Sequence, residues 1–456
     1  MNNTKIAAYA VLSAVLILAV VFLLLRPSEA ERLAELRKVF SESFSNKDYE
    51  MAAKATNDYS RVMAHTLDPS LTLNEIFPIG GTIAYPLQSI DITGDFIERR
   101  LFYYDIASSI TKDATSMEQK ILAIFNWIVE TVWPSRSWNT KTGLTPREIA
   151  IAGVSSSEEI VWLFCILLES LNMNGVLFNI DFKNNEESLE LAAVEHVAES
   201  SDDSNARWFL FHPVAGVPLL VEDTQNVATI KDLLNSKARL PGCDIIKADM
   251  IKSVKIHLVS EAECFLPAAG DLEELLPEQD IYLTCHHKSR HRLNTLGDSI
   301  VSHAKGSETK IEDYSFSIWS YPFHLAENRS ETDKSFTFLE KNFSQARKSL
   351  ILNQSETTLT AIAKDKEING HLLVAIALLE LKRYDKVIET LRQFEGKDYE
   401  ADIAAYVSGH ALLGLNRNGE AAKRFGEIKG KRSIMGQYYA GKTELGEKPV
   451  FFLAEK

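Results

Sequence analysis

The spacing of apolar residues changes along this chain, and each change predicts an element. Ile6 to Leu25 is a run of twenty residues without a charge. At roughly 1.5 Å per residue it is long enough to cross a hydrocarbon core of about 30 Å, so it predicts a transmembrane helix. A cleaved signal peptide is the alternative, although its apolar region is usually shorter. Pro27 ends the run. Between Ser28 and Lys54, Leu33, Leu36, Val39, Phe40 and Phe44 recur at helical spacing, which predicts one or two amphipathic helices. Leu73–Ile92, with Phe-Pro-Ile-Gly-Gly, predicts turns and a short strand. Met117–Val132 predicts a helix with Ile121, Leu122, Ile124, Phe125, Ile128 and Val129 towards a core. Thr145-Pro146 opens a short capped helix.

The centre of the chain is Gly153 to Gly175. Ser155-Ser-Ser-Glu-Glu159 is a strong helix start, because serine oxygens cap free N–H groups and carboxylates suit the positive end of the helix dipole. Ile160 to Leu168 is apolar at every position, which predicts a helix buried on nearly all sides. Asn172–Gly175 should end it, with a strand at Val176–Ile180. Further strands are expected at Leu189–Val197, Trp208–Phe211, Val217–Val221, Val254–Val259 and Ile281–Cys285, and Val227–Leu234 predicts a strand end and then a helix. Together these predict an α+β domain over 111–300, preceded by a helical and extended region over 27–110.

A polar stretch opens the expected linker, 301–330, and Trp319-Ser-Tyr-Pro-Phe323 should dock the C-terminal part onto the main domain. From 331 the pattern is helical. Ala377-Leu-Leu-Glu-Leu-Lys-Arg383 aligns with Ala411-Leu-Leu-Gly-Leu-Asn-Arg417 at an offset of 34 residues, and Leu391 falls on Phe425. That period predicts tetratricopeptide-like helix pairs over 331–456, a type of surface that binds peptides or other helices, or else packs onto the main domain.

Several of these segments also carry a resemblance. The order Ile124-Phe-Asn-Trp-Ile128, then Gly153 with a buried helix, then Leu191-Ala-Ala-Val-Glu-His-Val and Trp208-Phe-Leu-Phe-His-Pro213, resembles the transglutaminase-like (papain-related) domains. The resemblance implies a helix packed on an antiparallel sheet, with a Cys-His-Asp set for thiol acyl transfer. Here Ser157 falls on the cysteine position, Leu191 on the histidine position and His212 on the aspartate position. The resemblance therefore implies the fold without its triad, in the manner of membrane-anchored bacterial proteins of this type.

The remaining chemistry narrows the function. A net charge of −14 argues against nucleic acid as a partner, since phosphates demand basic surfaces. Four cysteines in 456 residues make no disulfide framework. Cys165 reads as a core residue, while pairing among Cys243, Cys264 and Cys285 stays open. Cys285-His-His287 with His291 lacks the spacing of a zinc site and is interleaved with basic residues, so no metal or other cofactor is expected. A serine hydroxyl needs a base within hydrogen-bond reach, and the resemblance implies His212 for it, in the neighbouring strand. The expected function is thus a non-catalytic, single-span protein anchored by residues 6–25, with its body outside the cytoplasm and a protein or peptide partner. A divergent hydrolase using Ser157 with His212 is the alternative.

Overall fold

The computed structural model describes residues 29–63, 94–134, 144–183, 188–196, 207–259, 299–300, 314–318, 371–392, 394, 396, 399–447 and 451. The chain divides into two compact units, 1–78 with 83–98, and 79–82 with 99–456. In the first, helices α1 (Glu29–Ser45) and α2 (Tyr49–Met63) form a hairpin. Lys47 makes its turn in the left-handed region, at φ 61°. Phe40 is buried and stacks on Phe44, and Ala52, Ala53 and Ala55 are small enough for the helices to approach closely. The expected membrane span, the Leu73–Ile92 piece, the strand at Ile281–Cys285 and the Trp319–Phe323 knot lie outside the described residues. Among the described residues no helix is long and apolar enough to cross a membrane.

The second unit is mixed helix and sheet. Helix α3 (Gly94–Thr111) enters it and α4 (Met117–Thr131) follows, capped by Ser116. Strand β1 (Trp133–Pro134) pairs with β2 (Val154–Ser155) on either side of α5 (Pro146–Ala152). Helix α6 (Ser157–Glu169) then crosses the core, with Ile160 to Leu168 all buried. Its exit turn uses Asn172 at φ 63°, and Gly175 opens the next strand against the helix. A Cβ on Gly175 would stand 3.2 Å from Cys165 Sγ and from Leu168.

The main sheet has the order β10-β9-β3-β4-β5-β6, from β3 (Gly175–Phe182), β4 (Leu189–His196), β5 (Arg207–His212), β6 (Val217–Pro218), β9 (Ile251–Leu258) and β10 (Tyr314–Ile318). All pairs are antiparallel except β10 with β9. Alternation divides the strands cleanly. Leu177, Ala192, Val194, Phe209 and Phe211 share a core with α4 and α6, whereas Val176, Phe178, Leu191, Ala193, Trp208 and Leu210 belong to a second core on the opposite face. Phe125, Phe164 and Phe211 bind α4, α6 and β5 together, at ring-centroid distances of 5.0 to 5.9 Å. Each such pair contributes about 1 kcal/mol beyond area burial.

Two expectations change here. The stretch 301–330 supplies β10, a strand of the main sheet, so it is not linker throughout. The expected strand Val217–Val221 is split. Val217 and Pro218 pair with β5, while β7 (Leu220–Val221) leaves to pair with β8 (Ala238–Arg239), beyond α7 (Ile230–Leu234). Proline has no N–H with which to extend the ladder.

The C-terminal helices are α8 (His371–Glu380), α9 (Tyr384–Leu391), α10 (Tyr399–Gly414), α11 (Asn418–Gly426) and α12 (Ser433–Glu444). The 34-residue offset is visible in the backbone. Lys382 and Asn416 adopt φ 55° and 58°. Lys382 N donates to Leu379 O and Arg383 N to Leu378 O, and Asn416 and Arg417 repeat the same two bonds to Leu413 and Leu412. This helix-ending turn satisfies carbonyls left over by the last turn. Ala375, Leu378 and Val387 are buried, as are their counterparts Gly409, Leu412 and Ala421.

Candidate functional site

The first turn of α6 is held by a buried carboxylate. Glu159 is fully buried and its Oε2 accepts hydrogen bonds from Ser155 Oγ (2.7 Å), Ser156 Oγ (2.6 Å) and Ser156 N (3.1 Å). The serine cluster thus serves as the start of a helix, with Ser156 as its cap residue. Three donors on one oxygen compensate the loss of hydration that burial costs a carboxylate.

Ser157 is the first residue of α6, and its Oγ accepts a hydrogen bond from Lys431 Nζ. Lys431 comes from the short turn Gly430–Arg432 ahead of α12. His212, at the end of β5, makes no hydrogen bond with Ser157; its buried Nδ1 has no hydrogen-bond partner. Burial, followed by the charges of Lys431 and Arg432, pulls the His212 pKa down to about 4. A base so weak at neutral pH is poorly matched to a serine proton. Leu191 is fully buried in the core on the face away from α6, so it neither approaches Ser157 nor fills a gap beside it. The structure brings together Ser157 and Lys431, with His212 also close to Lys431, and leaves Leu191 apart.

The residue that sequence reasoning missed is Arg432. It is 1% exposed and lies over the Trp133 ring at 4.5 Å. Its guanidinium donates to four backbone carbonyls: Val129 and Val132 at the end of α4, and Pro213 and Val214 after β5. Burial lowers its pKa to about 9, which leaves it charged at neutral pH. The planar fork of five donors suits such a set, and a lysine point charge does not. The turn it grips needs Gly216, at φ 72°, where a Cβ would stand 2.6 Å from Met435 Sδ. Tyr406 of α10 meets Trp133 at 5.6 Å, and Asp402 accepts from Lys429 N at 2.8 Å. The helical region is therefore seated directly over the start of α6. The only signal in the sequence was a basic Lys-Gly-Lys-Arg stretch, whose pattern is that of any solvated turn.

Other candidates have structural surroundings. Cys165 is buried and Cys243 exposed, and neither forms a disulfide among the described residues. His196 stands 3.5 Å from Glu118 and packs edge-on against Phe209. Among the described residues no cluster fit for a metal occurs. Cys264 and the Cys285–His291 stretch lie outside the described residues. No family model, curated protein or solved structure matches the chain.

Proposed function

We propose that this chain is a non-catalytic, membrane-anchored scaffold that binds a protein or peptide, built on a transglutaminase-like domain without its triad. One observation carries the reading. The hydroxyl at the nucleophile position is engaged by Lys431 of the chain's own helical region, and His212 makes no bond to it. In this reading the start of α6 serves as a seat for the helices, and the tetratricopeptide-like pairs provide the binding face.

The first pair is the better candidate for that face. Tyr406 and His410 of α10 are taken up by Trp133, Phe425 and Tyr439. Their counterparts 34 residues earlier, Leu372 and Ile376, are only half-buried. Panning a displayed peptide library on the full chain, then mapping enriched peptides by hydrogen exchange, tests this. Footprints on 371–391 support it, and failure to enrich any peptide counts against it. A serine-directed fluorophosphonate should leave Ser157 unlabelled. Labelling lost in Ser157→Ala and in His212→Gln would instead establish the hydrolase.

A further inference from the structure

The segment 429–432 and the turn after β5 meet as a seam with two cations on one side and a histidine on the other. On the core side, His212 directly precedes Pro213 and Val214, two of the four residues whose carbonyls hold Arg432. Its backbone O accepts from Gly216 N, which closes the same turn. On the helical side stand Lys431 and Arg432. These two cations are the charges that act on the ring among the described residues, and no carboxylate offsets them. The ring's buried Nδ1 faces no acceptor to take a second proton's hydrogen bond.

We propose that this seam is an acid-sensitive latch, in which a proton on His212 releases the C-terminal helices from the α/β core. A third positive charge would then stand beside the buried Arg432, with the exposed Lys431 next to it in the same turn. Arg432 cannot move away while it stays seated in its four carbonyls. Undocking lets the imidazolium and Arg432 regain water. The sign comes from linkage: the docked form disfavours the proton, so the undocked form binds it at higher pH. Docking is fully stable above about pH 6.5 and weakens as the pH falls towards 4.

Hydrogen exchange of the full chain in detergent micelles, stepped from pH 7.5 to 4 and corrected for intrinsic rates, tests the latch. Protection of 428–444 should fall at least tenfold, while 160–168 in α6 keeps its protection. In the His410→Ile background, which removes that ring's own acid titration beside Tyr439, His212→Gln or His212→Phe, whichever matches its parent at pH 7.5, should abolish the fall, and His410→Ile alone should leave a fall in place. In the wild type the His212 ring, followed by NMR, should titrate at the pH where protection is lost. The latch is refuted if the neutral variants release at the wild-type pH, if α6 and 428–444 open together, or if His212 titrates without release.

Discussion

The two helix pairs, 371–391 and 399–426, share a period and differ in their neighbours. Both end their first helix in the same left-handed turn, at Lys382 and Asn416, and both bury a small residue in that helix. Yet the small residue is Ala375 in one and Gly409 in the other, and its partner position changes with it, from Leu391 to Phe425. A Cβ on Gly409 would stand 2.6 Å from the Phe425 ring, so the larger ring demands the missing methyl. The second pair differs again at Tyr406 and His410, which stand where the first has Leu372 and Ile376. What repeats is packing within a pair. What differs is contact with the α/β core.

Breaking that contact should have the largest effect. Arg432→Ala leaves four buried carbonyls without a donor and should cost at least about 3 kcal/mol in urea unfolding. Arg432→Lys should recover little of it, and equal stability for the two variants and wild type would show that Arg432 does not peg the helices to the core. Acid should separate the pairs next. Burial holds the His410 pKa down to about 4, so its contribution is full above about pH 6.5 and lost towards pH 4. The loss is on the order of 2–3 kcal/mol, and His410→Ile, which copies the first pair, should remove it from the pH dependence of melting.

The internal comparison is sharpened by exchange. Gly409→Ala should destabilise by about 1–3 kcal/mol, and adding Phe425→Leu, as in the first pair, should restore most of that. Additive losses in the double variant would show that the two positions do not compensate. The smallest effect belongs to the turns. Lys382→Gly should stabilise by up to about 1 kcal/mol, and Asn416→Gly by less, since asparagine tolerates the left-handed region. Chemical denaturation resolves the order, and a greater gain at Asn416 would contradict the conformational explanation.

Much of this fold was legible in the chain because the relevant physics is local. Nine successive apolar residues can only form a fully buried element, and Ser156 with Glu159 marks its start by hydrogen bonds that span three residues. The strands around it were readable from alternation, and the helix pairs from a period of 34 residues. Alternation also misled where proline intervened: Val217–Val221 has the pattern of one strand, and Pro218 divides it between two sheets.

The candidate site was legible only in part. Sequence placed Ser157 at the start of α6 and His212 at the end of β5, and both stand there. It had no means of setting Lys431 on Ser157, 274 residues away, or Arg432 on Val129, 303 residues away. Nor does a pattern of residue types distinguish an arginine bound for four carbonyls from one bound for water. The acceptors are backbone atoms, which every residue carries, so no partner side chain marks the contact. By itself the sequence determined α4, α5 and α6, the strands that follow them and the 34-residue offset, all set by neighbours along the chain. Tertiary structure alone decided that the repeat is welded over α6 and that His212 faces two cations, because those energies depend on which surfaces exclude water together.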